Sequence, residues 1–422
     1  MKYTKRLIDK KIMQYLSLFS AVCIEGPKWC GKTSSCKNVC KSTFFVGDPA
    51  NNFSNRKMAK VDVSSILIGD KPRLIDEWQE VPEIWDAVRY TVDENNEVGQ
   101  FLLTGSSTPN RKGVMHSGAG RIAKIRMRTM SLYEMGLSTG EISLKEILTG
   151  KQKNIFSKED INLDKIINYI IMGGWPSNIG HIDNPNIYIA KEYIKAIFDD
   201  KVYNFDGKKR NANKFSLLLR SLARNDCSEV TNNKLIDDIK GIENKTIDTE
   251  TLNSYIDILD RLFLIENIKP FDVNLRSRVR IKQLEKKRFV DPSITCALLN
   301  VDKESLYKDL NTVGFLFESM CIKDLLSYAD ANDMELYHYQ DYNNNEVDVV
   351  IKKEGNKYSF IEIKLGANQI DEAANNLIKI KNKIIEEKKQ PPEQLIVLVG
   401  VENKSYVRED GVIVVPLTML KE

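Results

Sequence analysis

Residues 26–33 of the chain read GPKWCGKT, and their types and spacing suit phosphate binding. Two glycines with four residues between them let the backbone fold round an anion with its N–H groups directed inward. Lys32 would reach the β and γ phosphates of a nucleotide, and the Thr33 hydroxyl would ligate Mg²⁺. The pattern therefore predicts an ATP site. Its predicted loop residues are Gly26, Pro27, Lys28, Trp29, Cys30, Gly31, Lys32 and Thr33.

An acidic pair, Asp76 and Glu77, follows the short apolar run Leu74–Ile75. A buried parallel strand at this run would deliver both carboxylates to the phosphate edge of a sheet. Asp76 would then hold Mg²⁺ through water, and Glu77 would orient or polarise the attacking water. The alternative is a plain acidic pair at the N-terminal end of a helix predicted in the stretch EVPEIWDAVRYTV, residues 80–92.

Further along the chain, polar residues follow a third predicted strand, 100–108. Thr104 and Ser106 would lie near the γ phosphate, although a strand followed by a turn explains either residue alone. Arg121 follows a glycine-rich loop and is a candidate arginine finger, in cis or toward a neighbouring subunit. The second case leaves a homo-oligomer open.

A second set of candidates lies in the segment 346–366, EVDVVIKKEGNKYSFIEIKLG. A turn at 354–356 pairs its two halves as a hairpin, which sets Asp348 opposite Glu362. Because side chains alternate between the faces of a strand, Glu362 and Lys364 share one side. Two carboxylates and one ammonium are therefore predicted to converge.

Such a group suits metal-dependent cleavage of a phosphodiester bond. Asp348 and Glu362 would hold Mg²⁺ or Mn²⁺, and Lys364 would position water and neutralise developing charge. Glu318, on the apolar face of a helix predicted over 314–329, is a third candidate metal ligand. The metal-ligand candidates of the chain are Thr33, Asp76, Glu318, Asp348 and Glu362.

Two further polar residues, Gln340 and Asp341, end the strand predicted before the hairpin and are candidates to orient this group. The alternative for the whole region is an exposed hairpin in which acids and lysines alternate without catalytic purpose.

Composition sets the frame for these sites. With 422 residues, 42% hydrophobic and 29% charged, the chain is expected to be soluble, multidomain and cytoplasmic, with no membrane partner. Its start predicts an amphipathic helix rather than a signal peptide. The seven cysteines suit reduced thiols; a zinc site at Cys30, Cys36 and Cys40 is disfavoured because they form no close pair. The net charge of +3 confines any nucleic-acid surface to local patches.

The middle of the chain predicts helices over 130–230, with a sharp turn at the GGWP of 173–176. From 232 to 271 the order of elements resembles a winged helix-turn-helix. The acids of its second helix make protein contact at least as plausible as DNA contact. Basic residues alternate over 276–282, which suits either nucleic-acid binding or a guarded edge strand.

The motifs GPKWCGKT, RLIDEWQ, FLLTGSST, GAGRI and GGWPSNI together resemble a family of AAA-type prokaryotic ATPases with an uncharacterised C-terminal region. The spacing of Asp348, Glu362 and Lys364 resembles the PD-(D/E)XK nuclease superfamily. One departure is Lys28, where the ATPases often have arginine; lysine keeps the charge and loses the planar fork.

These resemblances imply an α/β multidomain protein. The implied domains are a P-loop AAA-like ATPase at 1–135, a helical lid or linker at 136–230, a winged-helix-like domain at 231–295 and a restriction-endonuclease-like α/β domain at 296–422. The implied function is ATP hydrolysis coupled to a metal-dependent nuclease acting on DNA or RNA. The alternative is an ATP-dependent switch whose silent nuclease-like domain holds nucleic acid or a protein partner.

Overall fold

The computed structural model describes residues 3–108, 118–151, 154–181, 187–200, 210–243, 247–274 and 283–422. These residues form two compact units. The N-terminal unit comprises Met1–Thr129 with Asp257–Leu264, and the C-terminal unit comprises Met130–Ile256 with Ile265–Glu422. The basic alternation predicted over 276–282 lies outside the described residues.

Five strands form the sheet of the N-terminal unit. They are β1 (Ala21–Glu25), β2 (Ser42–Phe45), β3 (Arg73–Asp76), β4 (Phe101–Gly105) and β5 (Ile122–Arg126). All neighbouring pairs are parallel, in the order β2-β3-β4-β1-β5. The almost fully buried β1 and β4 are typical of strands covered on both faces. The strands predicted before the phosphate loop, before Asp76 and around Thr104 are confirmed.

The N-terminal unit has two hydrophobic cores, and helices complete each of them. These helices are α1 (Ile8–Leu16), α2 (Lys32–Lys37), α3 (Ala50–Val61) and α4 (Glu83–Asn95). Along β1, Ala21 and Cys23 join the core that contains Trp85, whereas Val22 and Ile24 join the core that contains Ile12. Because Ile12 belongs to α1, one face of that helix is buried in the second core, which confirms the amphipathic helix predicted from the first residues.

The C-terminal unit contains most of the helices, with α10 divided between the two units. They are α5 (Leu144–Leu148), α6 (Leu163–Met172), α7 (Tyr188–Asp200), α8 (Ala212–Arg224), α9 (Asn232–Glu243), α10 (Thr249–Arg261), α11 (Pro292–Leu299), α12 (Lys303–Lys308), α13 (Leu310–Ala331) and α14 (Ile370–Glu386). The helices α9 and α10 follow the predicted order, and the winged helix stays a prediction.

The turn after α6 is structural, as predicted. The Gly174 N–H donates to the Asp291 carboxylate at 2.9 Å, and the Gly174 carbonyl accepts from the Met130 N–H at 2.7 Å. A Cβ atom on Gly174 would lie 2.1 Å from the Met130 carbonyl oxygen, so only glycine fits.

A seven-stranded mixed sheet forms the centre of the C-terminal unit, in the order β7-β12-β13-β11-β10-β9-β8. Its strands are β7 (Ile155–Phe156), β8 (Glu335–Gln340), β9 (Glu346–Lys352), β10 (Tyr358–Gly366), β11 (Leu395–Val401), β12 (Lys404–Val407) and β13 (Ile413–Pro416). A separate parallel pair joins β6 (Ile142–Ser143) to β14 (Leu420–Lys421).

The register of the β9–β10 hairpin is the predicted one. Tyr358 lies opposite Lys352 and Ile361 lies opposite Val349, so the turn falls at 354–356. Strands β8, β9 and β10 are antiparallel, whereas β10, β11 and β13 are parallel. Helix α14 connects β10 to β11 and packs on both, and α13 packs on β8 and β10.

The cysteines are all free thiols, and six of the seven are buried. Only Cys40, just after α2, is partly exposed. In the described part of the chain, no helix combines the length and apolar character needed to cross a membrane.

Candidate functional site

The phosphate loop joins β1 to α2 and is shaped by its two glycines. Gly31 has a φ of +104°, which favours glycine, and a Cβ atom on Gly26 would lie 2.1 Å from the Met127 carbonyl oxygen. Lys32 is 5% exposed, and its ammonium donates to the carbonyls of Gly26 at 3.0 Å and Pro27 at 2.8 Å. The lysine therefore lies folded into the loop.

The remaining loop side chains take different directions. Trp29 has a φ of +68° and is 44% exposed, whereas the Cys30 side chain is buried, with its thiol 3.9 Å from the Met127 carbonyl. Lys28 is half-buried. Thus, of the loop residues predicted from the pattern, Lys32 and Thr33 contribute side chains to the site, and the others contribute mainly their backbone groups.

The acidic residue that ends β3 is held by two hydroxyls. The Thr33 hydroxyl donates to Asp76 Oδ1 at 2.7 Å, and the Thr104 hydroxyl donates to the same oxygen at 2.5 Å. Asp76 lies opposite Thr104 in the parallel β3–β4 pair, so the sheet register itself makes the second contact. The sheet edge brings together the residues that the sequence predicted there.

Glu77 is also held by neutral donors. Its backbone is left-handed, with a φ of +59°, and its carboxylate accepts from the Ser106 hydroxyl at 2.8 Å and from the Gln79 amide. Its own N–H donates to the Thr104 hydroxyl at 3.3 Å. Gln79 was not predicted as a site residue, because an amide two residues past an acid is not a pattern that signals chemistry.

Arg121, the candidate arginine finger, is engaged elsewhere in this structure. Its guanidinium forms an ion pair with Asp93 on α4, and its side chain is 47% exposed. The hydrogen bond from Arg121 lowers the pKa of Asp93 below its ordinary value.

A second residue that the sequence did not reveal supports the phosphate loop from below. Arg6 is buried, and its guanidinium donates to the carbonyl of Cys30 at 2.7 Å and to that of Arg128 at 2.9 Å. The backbone N–H of Arg6 donates to the Asp9 carboxylate, which also accepts from the Tyr3 hydroxyl. Residues ahead of β1 therefore fix the backbone of the loop.

The predicted set of two carboxylates and one ammonium lies in the C-terminal unit, where the pairing of β9 with β10 ends. The Ile363 N–H donates to Asp348 Oδ2 at 2.7 Å. The Lys364 ammonium lies 2.9 Å from Glu362 Oε2 and 3.9 Å from Asp348 Oδ2. The structure thus gathers the three predicted residues, and the Asn376 amide of α14 adds a hydrogen bond of 3.0 Å to Glu362.

A second, unpredicted ammonium completes this group. Lys286 is 3% exposed, and its ammonium lies 3.3 Å from Glu318 Oε1 and 2.7 Å from Glu346 Oε1. Glu318 therefore faces the group as predicted, but through a lysine. We refer to Glu318, Glu346, Asp348, Glu362, Lys286 and Lys364 as the carboxylate cluster.

Comparison with known families identifies the N-terminal domain. Residues 19–136 match the family described as an AAA domain. The chain carries an AAA-type ATPase domain at its N-terminus. Residues 163–305 and 313–420 match two families, each described as a domain of unknown function (DUF8612 and DUF4143).

Relatives and solved structures extend the comparison. Uncharacterized proteins of Mycobacterium bovis and Mycobacterium tuberculosis are each 21% identical over 350 residues, covering 81% of this chain and 70% of the relative. A Walker-type ATPase of Pyrococcus abyssi is 12% identical, covering 69% of this chain and 94% of that chain with a TM-score of 0.42. A DNA replication initiation factor is 14% identical, covering 74% and 91% with a TM-score of 0.25.

Burial and mutual repulsion set the electrostatics of the carboxylate cluster. Burial, with the nearby Asp348 charge, raises the pKa of Glu362 to about 8 and that of Glu318 to about 7. Burial alone would lower the pKa of Lys286, but the carboxylates of Glu318, Asp348 and Glu346 raise it above its ordinary value. The cluster therefore holds excess negative charge that attracts protons or cations.

Two observations bear on the expectations for this region. No three His, Cys, Asp or Glu side chains in the described residues are arranged to hold a metal ion, so the metal ligands Glu318, Asp348 and Glu362 stay predictions. The ammoniums lie between the carboxylates instead. Asp341 does not reach the cluster: it accepts from backbone N–H groups of its own turn and pairs with Lys383 at 2.6 Å.

Proposed function

We propose that the AAA-type domain hydrolyses ATP, with Mg²⁺ as its cofactor, at the loop of residues 26–33. The observation that carries this proposal is the 2.7 Å hydrogen bond between the Thr33 hydroxyl and Asp76, with Glu77 next in the chain. A hydroxyl and a carboxylate are hard oxygen donors of the kind Mg²⁺ takes, with phosphate and water oxygens supplying the rest. Bound Mg²⁺ would neutralise charge on the phosphates.

Lys32 and Glu77 have separate tasks in this proposal. Lys32 exchanges its two carbonyl partners for phosphate oxygens, so its charge reaches the group that is transferred. Glu77 accepts from Ser106 and Gln79, neutral donors that orient its carboxylate without removing its charge. It can therefore orient and polarise water.

A substitution of the loop lysine tests the proposal directly. We expect Lys32→Ala to abolish ATP hydrolysis, measured as phosphate release with excess Mg²⁺, and EDTA to do the same to the unchanged chain. Lys37→Ala, on the same helix, is the matched control and should hydrolyse ATP normally. Hydrolysis by Lys32→Ala at the rate of the control would refute the proposal.

We further propose that the C-terminal domain cleaves phosphodiester bonds in DNA or RNA at Asp348, Glu362 and Lys364. The carrying observation is the single ammonium of Lys364 between two carboxylates of adjacent strands, at 2.9 and 3.9 Å. The order α13, β8, β9, β10, α14, β11, with β8–β10 antiparallel and β10–β11 parallel, fits a PD-(D/E)XK nuclease core.

The donor chemistry fits a divalent ion. Asp348 and Glu362 offer only oxygen atoms, which suit Mg²⁺ or Mn²⁺, and they would hold the ion. Burial and the nearby Asp348 charge raise the pKa of Glu362, so binding of a cation would release a proton. Bound metal would supply Lewis-acid stabilisation of the phosphate. Lys364 would position water and balance charge on the phosphate oxygens.

One observation favours a second function for this domain, binding without cleavage. Two ammoniums already bridge the carboxylates, and the cluster holds no three-ligand metal set among the described residues. In that case the chain is an ATP-dependent switch that holds nucleic acid or a protein partner.

A cleavage assay separates the two functions. Single- and double-stranded DNA and RNA are incubated with Mg²⁺ or Mn²⁺, with and without ATP. The nuclease proposal expects product from the unchanged chain and from Lys357→Ala, a nearby lysine paired with Glu393, but none from Lys364→Ala. Absence of product from every protein, with ATP still hydrolysed, would establish the silent domain instead.

A further inference from the structure

The C-terminal unit contains a polar groove that neither proposed reaction uses. Its volume is about 870 Å³, and it lies between the start of α9 and the chain segments round residues 270 and 285. The lining residues that bear on its chemistry are Asn232, Asn233, Lys269, Glu285, Lys287 and Tyr337. We call this cavity the lysine groove.

Two lysines of the groove have no side-chain partner within the described residues. Neither the exposed Lys269 nor the half-buried Lys287 donates a side-chain hydrogen bond or forms an ion pair there, whereas the buried Lys286 and Lys323 of the same unit do. Lys287 is also half-buried, and burial lowers its pKa despite the charge of Glu285. A partly desolvated ammonium without a partner is stabilised by an anion.

The other lining groups suit a nucleotide chain. Asn233 carries an amide donor at the start of α9, where the helix dipole also favours negative charge, whereas the Asn232 amide donates to Asn253 Oδ1 at 2.8 Å. Tyr337 supplies an aromatic ring at the wall. Cations spaced along a groove with an aromatic surface are typical of single-strand binding. Among the described lining residues Glu285 is the one acid, and it accepts from the Asn267 amide at 3.1 Å.

One short segment links the lysine groove to the carboxylate cluster. Lys287 lines the groove, whereas the preceding residue, Lys286, extends into the cluster. Neighbouring side chains of an extended segment point to opposite sides. The groove and the cluster therefore lie on the two sides of the same stretch of backbone.

We propose that the lysine groove holds single-stranded nucleic acid beside the segment that carries Lys286 into the carboxylate cluster, an inference that rests on the proposed cleavage function. Phosphates contact Lys269 and Lys287, and the Asn233 amide of α9 completes the contacts. The substrate class is thereby narrowed from DNA or RNA in general to single strands.

Fluorescence anisotropy with a labelled oligothymidylate, the full-length chain and EDTA tests binding apart from cleavage. We expect the double variant Lys269→Glu, Lys287→Gln to bind at least about tenfold more weakly, with a salt dependence of log K reduced by about 1.4, since each single-strand contact contributes about 0.7. Lys145→Glu, an exposed lysine on α5, is the control and should bind normally.

The variants are compared by thermal unfolding, and Lys269→Glu alone, at an exposed position, stands in if the double variant unfolds early. Unchanged affinity in a folded groove variant, or tighter binding of duplex than of single strand, would overturn the groove. The cleavage assay with Lys364→Ala separates the two proposals. If the groove variants bind weakly but no protein yields product, the cleavage proposal is overturned and the groove proposal is retained. Product with unchanged binding does the reverse.

Discussion

The acidic groups of the two units are built from the same residue types but are bonded by different donors. Asp76 and Glu77 accept from hydroxyls and an amide, all of them neutral. The carboxylate cluster is bridged by the ammoniums of Lys286 and Lys364. The first group is oriented by neutral donors, whereas the second carries part of its counter-charge within the fold.

This difference fits the different needs of the two groups of acids. A nucleotide arrives together with Mg²⁺, so the N-terminal acids need only be oriented, which neutral donors achieve. Acids buried beneath a sheet must be neutralised to remain folded, because burying an unpaired charge costs several kcal/mol. The lysines of the cluster therefore stabilise the fold.

The largest effect is expected from removing the buried ammonium. Lys286→Met leaves Glu318 and Glu346 without a partner, and breaking a buried pair costs about 3–5 kcal/mol. Urea unfolding should show this loss in the free energy of unfolding, while Lys352→Met, which breaks a more exposed pair with Glu335, should lose less than about 1 kcal/mol. Equal losses would mean that the cluster is no different from a surface pair.

The next effect concerns Glu77, the acid of the N-terminal site that neutral donors orient. Glu77→Gln should lower kcat for ATP hydrolysis at least about 100-fold with unchanged ATP affinity, since a general base acts on water rather than on bound nucleotide. Steady-state kinetics and calorimetric titration measure the two quantities. Glu80→Gln, in the same turn and paired with Arg56, is the control. A parallel loss of affinity would make Glu77 a binding residue.

A smaller effect is the pH dependence of the cluster. The folded pKa of Glu362, about 8, lies above its ordinary value of 4.5, so between these values the folded chain binds a proton that the unfolded chain lacks. The free energy of unfolding must therefore fall as pH rises through this window. In EDTA we expect Tm to fall by several degrees from pH 5 to pH 8, and less in Glu362→Gln. The same slope in both proteins would contradict the assignment.

The smallest effect on folding is expected at the exposed pair of Arg121 and Asp93. Because solvent screens this contact, Arg121→Ala should leave Tm unchanged in a thermal scan. Phosphate release then decides its role: hydrolysis that falls while Tm holds would assign the arginine finger, and recovery on mixing with Glu77→Gln would place the finger in a neighbouring subunit. Unaltered hydrolysis would remove Arg121 from the site.

Sequence reasoning succeeded where local rules fix the geometry. Asp76 and Thr104 meet because neighbouring parallel strands end at one edge, and Asp348, Glu362 and Lys364 meet because a short turn sets the hairpin register. Both rules need only the segment at hand and its alternation.

It failed where partners come from distant segments. Lys286 lies 32 residues from Glu318, and Asp341 lies 42 residues from Lys383, so each pairing depends on tertiary packing that no periodicity records. Arg6 was hidden for a similar reason: a charged residue beside an amphipathic helix is ordinarily solvated, but here it is buried against the carbonyl of Cys30.

The distribution of thiols has a practical consequence for spectroscopy. Six cysteines are shielded from solvent, and Cys40 alone is partly open. A maleimide dye should therefore attach at one position without any cysteine being replaced first. Burial raises the pKa of this thiol, so labelling should be faster at mildly alkaline pH. Because Cys40 follows the helix that begins with Lys32 and Thr33, such a dye would report nucleotide binding in real time.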